Sequence, residues 1–67
     1  LGKEAMQRLS QALFELPERT RTVFFLCRIE GIAYAEVGER LGISLSAVNK
    51  HMAKAIEFLM TRMKEGA

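Results

Sequence analysis

Ser46, Asn49, Lys50, Ala53 and Lys54 recur at i, i+3, i+4, i+7 and i+8. On a helix that spacing gathers them on one side. Their chemistry is recognition rather than reaction. An asparagine carboxamide can pair bidentately with an adenine edge, and a lysine can reach guanine O6 and N7 or a phosphate. Ala53, between them, keeps the face low enough for a major groove, which admits a helix only when its leading side chains are not bulky. Glu57 continues the same side. His51, next to Lys50, offers either a phosphate contact or a half-buried flank. No nucleophile is paired with a base, no carboxylates are paired, and no glycine-rich loop could cradle a phosphate. No catalytic residue is therefore assigned, and an enzyme is not expected. With one cysteine and one histidine there is no zinc spacing, so no metal, cofactor or small-molecule substrate is expected.

Such a face needs a rod to carry it and a turn to aim it. Ser44 is a good N-cap for a helix running to about Met63 or Lys64. Val48, Met52, Ala55, Ile56, Leu59 and Met63 form its apolar stripe. Before it, a helix from about Tyr34 to Leu41 ends at Gly42. The link of Gly42, Ile43 and Ser44 is short enough to turn the chain sharply, as in a helix-turn-helix. Gly38 costs about 1 kcal/mol against alanine inside a helix, and close approach of a neighbour would offset that. Val37, Leu41, Ile43 and Val48 are spaced to fill the core between the two helices. Upstream, a helix from about Lys3 to Phe14 carries Met6, Leu9 and Leu13 on one stripe. Leu16 is biased out of the helical region by Pro17, which suits the first position of a second helix. That helix runs to about Ile29 or Glu30 and stops at Gly31. Its "VFFLC" run predicts the central, most buried helix. No alternating run suggests a strand. The fold class is all-α: a small four-helix domain with its helix-turn-helix at about 33–63.

At 67 residues the chain is one domain, close to the lower limit for folding alone. Its opening on Leu1 rather than methionine points to a fragment of a longer chain. Residues 1–43 carry six basic and six acidic side chains, so the net charge of +2 comes from Lys50, Lys54, Arg62 and Lys64 against Glu57 and Glu65. A basic surplus confined to the last helix suggests a polyanionic partner. The longest apolar run, Val23 to Cys27, is far short of the ~20 residues of a membrane span, so no membrane partner is expected. Cys27 is a buried, inert thiol in this reading, and a reducing cytoplasm is the expected compartment. Tyr34 either reaches a phosphate or packs under its helix. The roles of Arg19, Arg21 and Arg28 stay open between phosphate and protein contacts.

The segment "LPERTRTVFFLCRIEGIAYAEVGERLGISLSAVNKHMAKAIEFL", Leu16 to Leu59, resembles region 4 of the sigma-70 family of bacterial RNA polymerase sigma factors, in particular the extracytoplasmic-function group. The motifs that carry the resemblance are Leu16-Pro17-Glu18-Arg19, Glu30-Gly31, Tyr34-Ala35-Glu36-Val37-Gly38, Leu41-Gly42-Ile43-Ser44 and Ala47-Val48-Asn49. The fifth residue of the third motif is usually alanine in the family. The run "SAVNKHMAKA" is also similar to the iron-starvation subgroup. The resemblance implies a domain that binds the −35 element of double-stranded promoter DNA, docks on the β-flap of core RNA polymerase, and is held by an anti-sigma factor. Asn49, Lys50, Ala53 and Lys54 would face bases, with Ser46 and Ala47 at the leading end. The helix starts at Tyr34 and Ser44 would present backbone N–H groups to phosphates. Two further departures from the family pattern matter. Ala33 replaces the usual Ser or Thr cap, and Asn49 replaces a common Lys or Arg, which favours adenine over guanine. Region 2, which opens promoter DNA in the full proteins, is absent, so the chain alone would not start transcription.

Two other readings compete. LuxR-type response regulators carry an output domain of related fold, with a Val-Lys-x-His run like Val48-Asn49-Lys50-His51, but "LPERTRTVFFL" fits their Leu-Thr-x-Arg-Glu opening less well. A pure protein-interaction domain, sequestered by an anti-sigma factor, is the other.

Overall fold

The computed structural model describes residues 2–65, so Leu1, Gly66 and Ala67 of the expected 1–67 domain lie outside the described residues. Four helical segments are present: α1 Lys3–Glu15, α2 Glu18–Phe24 with a π-helical continuation Phe25–Ile29, α3 Tyr34–Leu41 and α4 Leu45–Glu65. α4 is the organising element, because α1, α2 and α3 all pack against it. Val48, Met52, Ala55 and Leu59 form its buried side, as the 3.6-residue period predicts. Val48 and Met52 join Val23, Cys27 and Val37 in the main core, with Leu41, Ile43 and Ile56 packed against it.

The upstream helices differ from expectation in which side they bury. On α1 the residue that goes inside is Ala12, followed by Leu16 in the linker, while Met6 is 49% exposed. Leu9 and Leu13 are half-buried. α1 packs against α4, with Ala12 its one buried residue. α1 stops where Leu16 turns extended (φ −68°, ψ 147°) ahead of the proline. Pro17 is itself extended at ψ 145°, just before the first turn of α2, rather than inside it. α2 is not buried all round. Thr20, Val23 and Cys27 are inside, but Phe25 and Ile29 are 47% and 61% exposed. Among the described residues no element covers the far side of α2. Burial pushes the Cys27 thiol up, and nearby Arg28 offsets this only in part. The sulfur therefore stays a poorly nucleophilic thiol.

The turn between α3 and α4 follows from local chemistry. Gly42 is left-handed (φ 68°). The Gly42 N–H donates to Glu39 O and the Ile43 N–H to Gly38 O, at 3.3 and 2.9 Å. These two bonds form a Schellman closure, which glycine at this place permits without a Cβ clash. Ser44 Oγ then accepts from the Ala47 N–H at 3.0 Å, capping α4. The start of α3 lacks such a cap. Ala33 has the extended backbone of an N-cap (φ −59°, ψ 144°) and no side chain to fill the role. Ala33→Ser is expected to stabilise the domain by about 1 kcal/mol, a rise of about 5 °C in melting temperature. An unchanged thermal melt followed by circular dichroism would mean the first-turn N–H groups gain nothing from a side-chain acceptor.

Candidate nucleic-acid interface

Opposite the buried stripe, α4 presents Ser46, Asn49, Lys50, Ala53, Lys54 and Glu57 to solvent. They share one side over the first three turns, uncovered by the rest of the domain. Among the described residues neither Lys50 nor Lys54 is ion-paired, whereas Arg40 pairs with Glu36 and Arg62 with Glu15. Two uncompensated ammonium groups one turn apart make a positive surface suited to phosphate or to guanine O6 and N7. Asn49 Nδ2 donates to Leu45 O at 3.1 Å. That bond is exposed and local, so the carboxamide exchanges it at little cost for another partner. Leu45, one turn before Asn49 and 52% exposed, adds an apolar contact that periodicity alone did not mark.

The remaining sequence-predicted residues sit at the margins of this face. Ser44 is exposed, with its hydroxyl engaged in the cap. Ala47 is half-buried one turn before His51. His51 is also half-buried, and its Nδ1 lies 2.9 Å from Thr20 Oγ1 on α2. Tyr34 is half-buried and packs against the main core.

Three residues left open or unmarked by the sequence have definite places. Arg19 Nη1 donates to Leu41 O at 3.3 Å, tying the start of α2 to the end of α3. Arg21 Nη1 donates to Phe14 O at 3.1 Å, and its guanidinium lies 5.5 Å from the Phe14 ring centre. Both arginines therefore stitch elements together. Thr20 is 1% exposed and holds His51. A signal for Thr20 was available: with Leu16, Val23 and Cys27 it falls at the spacing of the buried side of α2, and a polar group there needs a partner.

The Sigma-70, region 4 family model matches residues 6–59, most of the chain. The ferric citrate uptake sigma factor FecI of Escherichia coli is 39% identical over 64 residues, covering 94% of this chain and 37% of its own length. The ECF RNA polymerase sigma factor SigE of Mycolicibacterium smegmatis is 41% identical over 44 residues, 66% of this chain and 17% of its own length. The chain thus spans well under half the length of these relatives. No solved structure gives a significant match. No helix among the described residues is long and apolar enough to cross a membrane. Matched over residues that include α3, the turn and the whole exposed face of α4, the chain belongs to the sigma-70 family, as a region 4 of its extracytoplasmic-function group.

Proposed function

We propose that this domain binds the −35 element of promoter DNA with the exposed side of α4 in the major groove, as the upstream-contacting part of a sigma factor on core RNA polymerase. The observation that carries the reading is the pair of unpaired lysines, Lys50 and Lys54, with Asn49 and Ala53 beside them on the uncovered side of α4. Lys50 and Lys54 meet phosphate or guanine, Asn49 reads adenine, and Leu45 suits a thymine methyl. The cap at Ser44 and the first turn of α4 approach the backbone, with Ser46 and Ala47 at the leading end. Docking on the β-flap and sequestration by an anti-sigma factor complete the proposal and rest on the family alone. The likeness to a ferric citrate uptake sigma factor supports an iron-responsive setting.

Selection from a random duplex library tests the reading. A single recognition helix makes few contacts, so absolute affinity is expected to be weak. Each bidentate base contact is worth about 1–3 kcal/mol, so the enriched pool should bind about tenfold more tightly than the starting pool. The enriched motif should contain an adenine and should fall at the −35 position of promoters used by the sigma factor, as located by 5′-end sequencing. An enriched pool no tighter than the random one would sink the proposal.

A further inference from the structure

Thr20 differs from the other helical threonines in where its hydroxyl goes. Thr22 and Thr61 each donate to the carbonyl four residues back, Glu18 O and Glu57 O, at 3.0 Å. Thr20 does not bond to its own helix. Its hydroxyl is buried, and its partner is His51 Nδ1 on the neighbouring helix, at 2.9 Å. A buried O–H left without an acceptor carries the full cost of its desolvation. The hydroxyl must therefore donate, and Nδ1 must be the bare, accepting nitrogen. The ring proton then sits on Nε2. Among the described residues no buried side-chain nitrogen or oxygen lacks a hydrogen-bond partner. Nε2 has no partner within the domain, so it reaches solvent. His51 itself stands at the edge of the exposed side of α4, one turn after Ala47 and between Lys50 and Lys54 in sequence.

We propose that Thr20 is a positioning residue that locks His51 in its Nε2–H tautomer, and that this N–H donates to a backbone phosphate of the bound duplex. The second half rests on the proposed DNA binding. The donor is neutral, so it orients the helix on the backbone without adding to counterion release. Fixing tautomer and ring angle before binding removes an ordering cost that a free histidine would meet on contact.

The test uses the 67-residue chain labelled with ¹⁵N, at pH 8, where imidazole side chains are ordinarily neutral. Long-range ¹H–¹⁵N spectra should give the Nε2–H pattern for His51 in the wild type and in Thr20→Ser, which keeps the hydroxyl. Thr20→Val, which keeps the shape, should give the averaged pattern of a freely exchanging imidazole. An Nδ1–H pattern in the wild type, or a Thr20→Val spectrum unchanged from it, overturns the lock. For the contact, His51→Ala should weaken duplex binding about fivefold with the salt slope unchanged, and His51→Gln, which retains a donor at the Nε2 distance, should recover most of the loss. The duplex is one on which Lys50→Ala with Lys54→Ala has already reduced affinity, so failure of the His51 contact is distinguishable from failure of DNA binding itself. Wild-type affinity in His51→Ala on that duplex overturns the phosphate contact.

Discussion

Gly38→Leu is expected to destabilise the domain by about 3 kcal/mol, at the upper end of overpacking costs. For a domain of this size that lowers the melting temperature by on the order of 15 °C. The cause is specific. A Cβ at position 38 would lie 2.8 Å from Ile43 O and 3.5 Å from Val48 Cγ2. The nearer atom is a backbone carbonyl of the turn, pinned by the Schellman closure on one side and the Ser44 cap on the other. It cannot swing aside as a side-chain tip would. Alanine already sets its Cβ 2.8 Å from that fixed carbonyl, so the turn backbone itself must shift, a strain that outweighs the ~1 kcal/mol that alanine gains over glycine in a helix. Gly38→Ala should therefore destabilise the domain by about 1 kcal/mol net, less than leucine. The branched end of leucine has to enter space already held by Val48, which is fully buried. Total stabilities of small domains are about 5 kcal/mol, so Gly38→Leu should leave about 2 kcal/mol and raise the unfolded fraction to a few per cent. Urea unfolding of the three proteins measures the order directly, and a leucine variant as stable as the parent would show that the turn is not tightly packed.

That contact also marks the limit of what could be read without coordinates. The sequence argues that Gly38 allows a close approach, yet periodicity points to a neighbouring helix. The atom that comes closest belongs to the turn itself, and only the path of the backbone after Gly42 reveals it. The turn was legible because each of its parts is local: a glycine for positive φ, a serine for the cap, an apolar residue between them. The exposed side of α4 was legible for a similar reason, since one long helix with a clear apolar stripe leaves its opposite side defined. The burial of α2 was not. "VFFLC" reads as apolar all round, but whether Phe25 and Ile29 are covered depends on how many other elements the chain can supply, and three helices around α4 are too few. Met6 and Ala12 make the same point on α1, where the way the helix meets α4 decides which flank of the Leu9–Leu13 stripe turns inward. His51 sat on a boundary that spacing alone could not resolve. Its fate was decided by Thr20, a residue thirty-one positions away in the chain.

The largest functional effect is expected from removing both lysines of the exposed face. Each contact to a phosphate contributes about 0.9 to the slope of log affinity against log salt. Lys50→Ala with Lys54→Ala should therefore flatten that slope by roughly two units and weaken duplex binding about tenfold near 0.1 M salt. The loss should shrink as salt rises, because the released counterions then supply less driving force. If one of the two lysines reads guanine instead of phosphate, the slope should change by only about one unit, and the loss should depend on the duplex sequence. Comparing each single variant on selected and scrambled duplexes separates these cases. The stability of the double variant should stay within about 0.5 kcal/mol of the parent, as for other exposed substitutions, since neither lysine is paired within the domain. A folded double variant with the parent's affinity and salt slope would remove α4 from the DNA interface. The basic surplus of the last helix would then have to be explained by a protein surface.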